Sequence, residues 1–320
     1  MPAIIHSRPA DGERPAITYR AAGDRYVLVE YGEMALDLEL NFFVTAVSAR
    51  LAEHPVPGLV EAAPGFRSLL LHYEPAALDR KDLVAALEEV HDAQQSVRAL
   101  TIPSRLITLP IAFDDSESRE AVRRYATTIR QDAPNVRDNS NIGYILEYNG
   151  LDDPEDLYAT VTGTEWWNAY TGFFPGLPFM FPLDPRNAIT VPKYNPTRTW
   201  TAEGAVGLGG PCVAIYPVES PGGYQLFGRT VPVYDILARH DVFRDDPLLI
   251  HPGDRVRFLR VGEDQLLSAR RDVLENRYEY MIEDDPFSVA DYLQRAAEVR
   301  DEADALRTAR EAAAAGTEVP

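Results

Sequence analysis

The sequence predicts an α+β protein with two cores: a split βαβ domain, an antiparallel β-barrel after it, and a helix at the C-terminal end. Three observations lead there. The first hundred residues alternate short period-two apolar runs with two stretches of helical period. From Ile189 to Val261, short apolar runs are separated by Pro/Gly turns. From Ser288 onward the chain is dense in Ala, Glu and Arg.

Residues 1–15 are polar and Pro-rich and read as a loose tail. Arg25–Tyr31 alternates as a strand and stops at Gly32. Leu38, Phe42, Val44, Val47 and Leu51 recur near a helical period, until Pro55, Pro57 and Gly58 break the run. Leu59–Ala62 and Ser68–Tyr73 are strands joined at Pro64-Gly65. Asp79 caps a helix to about His91, with Leu83, Val84, Leu87 and Val90 on one face. Arg105–Leu109 is the last strand of this set. The order β-α-β-β-α-β is the ferredoxin-like plan.

Asp114, Asp115 and Ser116 offer caps for a helix through Arg130. A second helix, Asn139–Tyr148, ends at Asn149-Gly150. A third is capped by Asp153, opens with Pro154 and runs to about Thr162. Residues 172–187 are too rich in Pro and Gly for a regular element, yet are apolar and aromatic, so they need a core, a partner or a ligand to cover them. His251–Asp254 is a turn before the strand Arg255–Leu259. Ser288 and Asp291 form a capping-box pattern for a helix from Val289 to about Ala313, with Gly316–Pro320 disordered beyond it. The expected domains are 16–112 (ferredoxin-like), 113–171 (helical connector), 172–285 (barrel) and 286–315 (C-terminal helix).

Length, composition and charge bound the function. With 320 residues there is room for two cores, and 45% apolar with 25% charged residues is ordinary for a soluble protein. A net charge of −19 argues against nucleic acid and anionic membranes as partners. Cys212 is the single cysteine, so there is no internal disulfide and no Cys-rich zinc site; in its apolar run it reads as core. No apolar run approaches membrane-helix length and the first residues have no signal-peptide pattern, so the expected location is the cytoplasm. The six histidines are scattered without ligand spacing, and no metal site is expected. P-loop, G-x-S-x-G, H-E-x-x-H and Rossmann patterns are absent, as is the Met-Lys-Met segment of a biotin carrier. Chemistry here would need an activated group brought from elsewhere.

The stretch Lys193–Thr230 concentrates candidate site residues. It holds one of the two lysines, and its Gly207, Gly209, Gly210, Gly222 and Gly223 permit tight turns or close backbone approach. It reads either as barrel hairpins alone or as a site wall of backbone N–H groups and cations facing an anion.

Short motifs in fixed order then give a resemblance over nearly the whole chain. They are Tyr31–Leu38, Pro64–Leu69, Ile102–Arg105, Asp132–Pro134, Ser140–Ile142, Asn149–Leu151, Leu183–Arg186, Lys193–Arg198, Glu203–Gly207, Pro221–Thr230 and Pro286–Tyr292. The chain resembles the second half of the carboxyltransferase region of urea carboxylase. That half belongs with allophanate hydrolase subunit 1, the B component of 5-oxoprolinase and the bacterial sporulation-kinase inhibitor. The resemblance implies a cyclophilin-like barrel behind the ferredoxin-like domain. It implies transfer of a carboxyl group from carboxybiotin, borne on a separate carrier protein, to a urea-like or amide nitrogen. The partners it implies are a companion carboxyltransferase subunit, a biotin carboxylase and the biotin carrier, with ATP used only on a partner subunit. Lys193, Arg198, Glu203 and Arg229 are the expected catalytic residues, Glu203 as acid/base unless it pairs with Arg198. Phe174, Tyr194, Asn195, Gly209, Gly210, Tyr224 and Gln225 are the expected substrate or biotin contacts. Asn141, Asn149 and Arg186 read as structural caps and an ion pair.

One stretch departs from the pattern. Urea carboxylases carry Gly-Asp in the loop before Leu-Asp-Pro-Arg, whereas Thr171-Gly172 stands here. Gly172–Phe179 looks instead like the oxoprolinase and allophanate-hydrolase branch. The missing carboxylate points to a substrate larger or more apolar than urea. The rival readings are a component of an ATP-dependent 5-oxoprolinase-type amide hydrolase and a kinase-inhibiting binding module.

Overall fold

A computed structural model describes residues 3–12 and 14–320. The chain divides into two compact units, one up to Ser104 plus Asp284–Arg295, the other Arg105–Glu283 plus Ala296–Pro320.

In the first unit, β1 (Ile4–Arg8), β2 (Ile17–Ala21) and β3 (Tyr26–Tyr31) lead into α1 (Leu38–Glu53). β4 (Leu59–Pro64), β5 (Ser68–Tyr73), α2 (Arg80–Asp92) and β6 (Thr101–Ile102) follow. The sheet order β1-β2-β3-β5-β4 places β5 between β3 and β4, antiparallel to both, so β3-α1-β4 is a split βαβ unit. Val27, Val29 and Tyr31 on β3 and Leu69, Leu71 and Tyr73 on β5 are buried at period two. Phe42, Phe43, Val47 and Leu51 of α1, with Leu83 and Leu87 of α2, complete the core. Asp37 and Asp79 cap the two helices by accepting from Glu39 N and Lys81 N.

Two expectations change here. Ile4–Arg8 of the supposed loose tail is an edge strand on β2, while Met1, Pro2 and Glu13 lie outside the described residues. The place beside β3 expected for Arg105–Leu109 is taken by β2, whose Ile17 and Tyr19 point into the core opposite Tyr31 and Val29. The short β6 pairs instead with Phe287–Ser288.

Arg105–Leu109 belongs to the second unit as part of β7 (Arg105–Phe113). Its near-continuous burial suits a strand covered on both faces. α3 (Ser116–Thr128), α4 (Ile142–Asn149) and α5 (Pro154–Thr162) follow, then β8 (Glu165–Thr171), β9 (Pro178–Pro182), β10 (Ala205–Gly209), β11 (Cys212–Ile215), β12 (Gln225–Arg229) and β13 (Arg255–Arg260). The ladder β12-β10-β11-β9-β8-β13-β7 closes through a β12–β7 pairing into a seven-strand barrel. The β13–β7 pair is parallel and the other six are antiparallel, a correction to the all-antiparallel barrel expected. Trp166, Met180, Val206, Leu208, Val213, Ile215, Phe227 and Val256 fill the interior.

The caps read from sequence hold for α3, α5 and the end of α4, but α4 starts at Ile142 and not at Asn139, and α3 stops at Thr128 short of Arg130. Asp115 caps α3, Gly150 closes α4 at φ +60°, and Asp153 with Asp156 forms a capping box ahead of Pro154. The Pro-rich 172–187 stretch does contain a strand. Pro178 and Pro182 sit at the ends of β9, where a missing N–H is tolerated. α6 (Glu263–Leu274) and β14 (Met281–Asp284) come next, then β15 (Phe287–Ser288). The single C-terminal helix is two, α7 (Val289–Glu298) and α8 (Arg300–Gly316), interrupted at Val299. Ser288 Oγ accepts from Asp291 N at the start of α7. The last residues, expected to be disordered, are tied down: Tyr144 donates its hydroxyl to Glu318 O at 2.9 Å.

Candidate functional site

A pocket of about 260 Å³ opens within the barrel unit. Phe173, Leu177 and Phe179 form one wall, Ala214 and Tyr216 another, and Lys193, Thr197 and Gly222–Tyr224 the third. Local pairing builds the third wall. Tyr194 N donates to Gly223 O (2.7 Å), and Arg198 and Gly222 exchange backbone hydrogen bonds (2.9 and 3.1 Å). Gly222 is required here because a Cβ would overlap the Tyr216 hydroxyl, which accepts from Tyr224 N at 3.3 Å.

Lys193 is exposed and sets its Nζ 5.1 Å from the centre of the Tyr224 ring. Arg198 is 1% exposed. It donates Nη1 to Tyr224 O (2.5 Å) and Nη2 to Thr201 Oγ1 (3.2 Å), and its guanidinium lies 4.5 Å over the Tyr194 ring. Arg198 Nε has no hydrogen-bond partner among the described residues. Thus of the three cations expected to meet an anion, Lys193 lines the pocket, Arg198 lies behind its Tyr224 wall and Arg229 is outside it.

Glu203 and Arg229 lie elsewhere. Glu203 pairs with Arg270 (3.0 Å) and not with Arg198, and its carbonyl accepts from Arg229 Nε at 2.8 Å. Neither lines the pocket. Tyr194 is buried and its hydroxyl accepts from Asn141 Nδ2 (2.6 Å). Gln225 is fully buried, accepting from Asn135 Nδ2 (2.9 Å) and donating to Pro192 O (2.8 Å). Asn195 is exposed and its carbonyl accepts from Arg130 (3.4 Å). Phe174 packs against Phe173 at 5.0 Å, and it is Phe173, 81% exposed, that reaches the pocket. Gly209 backs the Tyr224 ring, and Gly210 N donates to Val191 O at 2.8 Å.

Asn141 also donates to Asn135 O (2.7 Å) and accepts from Leu226 N (2.7 Å), tying the loop before α4 to β12. Asn149 clamps Thr190 in both directions (2.8 and 3.0 Å), so neither Asn141 nor Asn149 is the side-chain helix cap expected, whereas Arg186 pairs with Asp184 (2.7 Å) and Glu302 (3.1 Å), the ion pair expected. Burial pushes the Cys212 thiol up to about 12, which removes it as a nucleophile at neutral pH. Sequence reasoning missed Thr197 and Tyr216 as lining, and named Gly222 and Gly223 only among several glycines of a possible wall. The usable signal was Gly-Gly just before an aromatic residue, which lets backbone form a wall.

The family model for the carboxyltransferase domain, subdomains C and D, matches residues 17–243. The chain belongs to that family. Urea amidolyase of Lachancea kluyveri is 34% identical over 294 residues, 92% of this chain but 16% of that protein. The B component of 5-oxoprolinase from Escherichia coli O157:H7 is 30% identical over 239 residues, 71% of this chain and 93% of that protein. The Kluyveromyces lactis urea carboxylase structure superposes on 98% of this chain with a TM-score of 0.84 and 34% identity, using 28% of its own length. The relatives of this carboxyltransferase-domain chain are components of enzymes, as the sequence reading expects. The α+β architecture with its ferredoxin-like sheet and closed barrel is the one they share.

Proposed function

We propose that this chain is the second carboxyltransferase component of a biotin-dependent carboxylase, transferring a carboxyl group to a urea-like or amide nitrogen in the pocket beside Lys193. The observation that carries this is the extent of the likeness: similarity to urea carboxylase runs across both units and through α7 and α8. The likeness to the B component of 5-oxoprolinase leaves part of the chain unmatched. The pocket suits a compact ring, with aromatic walls and bare backbone at Gly222 and Gly223. Carboxybiotin, when bound, supplies a carboxyl group already activated for transfer. Lys193 would hold negative charge on the exposed side, an effect of about 3 kcal/mol for a well-placed charged donor. Phe173, Leu177 and Phe179 would exclude water, and Tyr224, held by Arg198, would fix the ligand's orientation. A companion first-half carboxyltransferase subunit, a biotin carboxylase and a biotin carrier complete the assembly in this reading.

The Gly172–Phe179 loop favours a second reading, the B component of a 5-oxoprolinase-type amide hydrolase. Isolation of the native complex under mild conditions, with a blot for covalent biotin, separates the two. A biotinylated carrier and a carboxylase are expected. A companion chain without biotin, together with oxoproline-dependent ATP hydrolysis, would establish the second reading instead. Recovery of this chain alone would leave neither standing.

A further inference from the structure

Gln225 acts on the pocket without lining it. It follows the wall residue Tyr224 in β12, and it is fully buried. A buried amide needs partners at both ends. Gln225 Oε1 accepts from Asn135 Nδ2 (2.9 Å) and its Nε2 donates to Pro192 O (2.8 Å). That carbonyl belongs to the peptide leading into Lys193, so the Gln225 side chain holds the lysine backbone from one side. Gly223 holds it from the other, where its carbonyl accepts from Tyr194 N at 2.7 Å. A Cβ on Gly223 would lie 3.7 Å from Lys193 Cβ. Residues 223–225 therefore carry Tyr224 and also grip both neighbours of Lys193, whose ammonium stands over the Tyr224 ring.

The direction of the amides is fixed. Turned over, Gln225 would set its oxygen against Pro192 O and its nitrogen against Asn135 Nδ2. Asn135 is anchored in turn by Asn141, which donates to Asn135 O at 2.7 Å. Asn141 also reaches Tyr194 Oη (2.6 Å) and Leu226 N (2.7 Å), the residues that follow Lys193 and Gln225. Hydrogen bonds in series away from water reinforce one another. A lysine side chain carries about 2 kcal/mol of rotamer entropy, so it becomes a placed charge only on a fixed backbone. A misplacement of about 1 Å at a reacting site can cost on the order of a hundredfold in rate.

Resting on the reading that Lys193 is the charged contact of the proposed reaction, we infer that Gln225 is a positioning residue. The series Asn135–Gln225–Pro192 sets Lys193 over Tyr224, in place of the direct substrate or biotin contact that the sequence suggests for Gln225.

Lysine signals in the full chain test this. Lys81 and Lys193 are the two lysines, and reductive methylation with carbon-13 labels both while keeping their charge. Lys81→Arg assigns them. Lys81 is exposed on α2, whereas the ring beneath Lys193 should move its methyl proton signal upfield. Gln225→Glu is isosteric: at about pH 8 its carboxylate keeps the Asn135 bond and turns its other oxygen on Pro192 O. Asn135→Asp breaks the series one residue further from the pocket, by offering Gln225 an acceptor in place of a donor. Both variants should move the Lys193 signal to the Lys81 position. Toward about pH 5 the Gln225→Glu signal should return upfield, as the acid O–H donates to Pro192 O. Coincident lysine signals in the unmodified chain, or a Lys193 signal that stays in place at about pH 8 in either folded variant, overturns the inference. A displaced Lys193 with carboxyl transfer by the assembled complex undiminished would instead count against the part given to Lys193 in the proposed reaction.

Discussion

Tyr224 packs its ring against the backbone of Gly209 so closely that a Cβ at residue 209 would overlap the ring. Gly209→Ala therefore moves Tyr224 or strains β10, at a cost of about 1–3 kcal/mol. Thermal denaturation should show that loss, and carboxyl transfer by the assembled complex should fall. Unchanged transfer by a folded variant would mean that Tyr224 does not shape the site.

Arg198 separates stability from function. Replacing this buried cation by an apolar residue of similar length removes its desolvation cost, set against two lost hydrogen bonds and the stacking on Tyr194. Arg198→Met should hold or raise the guanidinium chloride midpoint, by up to about 2 kcal/mol of stability. Carboxyl transfer by the assembled complex should fall several-fold as the Tyr224 wall loosens. A large loss of stability with full transfer would make Arg198 a purely structural residue.

Asn141 satisfies three buried groups at once: Asn135 O, Tyr194 Oη and Leu226 N. Asn141→Ala strands the Leu226 amide and the Asn135 carbonyl, and should cost about 2–4 kcal/mol in denaturant titration. A loss under 1 kcal/mol would indicate that water replaces the side chain at no cost.

His91 gives the first unit an acid limit. The Glu88 carboxylate can only accept, so Tyr19 donates to it. His91 Nδ1–H then donates to Tyr19 Oη (2.8 Å), and Nε2 accepts from the Tyr31 hydroxyl (2.9 Å). Burial lowers the imidazole from 6.5 to about 4, with Arg8 adding to the effect and Asp92 opposing it. The unfolded chain thus binds a proton between these values that the folded chain does not. Stability is full above about pH 6.5 and falls toward pH 4, by about 3 kcal/mol in all. His91→Gln should flatten that slope when the unfolding of Tyr19 and Tyr31 is followed by fluorescence at pH 7 and pH 4.5. An equal slope would assign the acid sensitivity to other groups.

Local signals carried most of the fold. Asp37, Asp79, Asp115 and Asp153 announce helix starts, and Gly150 a helix end, because caps are decided within a few residues. What escaped were choices settled by distant partners. Arg105–Phe113 looks like a strand from either domain's point of view, and only pairing with β13, some 150 residues on, assigns it. α6 went unseen because its charged sequence gives a weak apolar stripe, with Leu266 and Val273 its buried residues. In the candidate site, Lys193 and Tyr224 were legible as a rare lysine and an aromatic in a glycine-rich wall. Glu203, Arg229 and Gln225 share that stretch, but Glu203 sits in the turn before β10 and pairs with Arg270, while Gln225 and Arg229 on β12 are engaged by Asn135, Pro192 and the Glu203 carbonyl. The Thr197 and Tyr216 walls depend on how loop 193–198 pairs with Gly222 and Gly223, a register that no local pattern specifies.

The two-residue strand β6 has its partner at Phe287–Ser288, and the barrel strand β7 has one of its neighbours at Arg255–Arg260. During synthesis, then, the first unit stays one pairing short until residue 288 has left the ribosome, and the barrel stays open until residue 260 has. Contacts this far apart close slowly. A nascent chain stalled before residue 255 would expose the apolar edge of β7, so for this protein the interval between translation of residue 113 and residue 260 is when chaperones matter most.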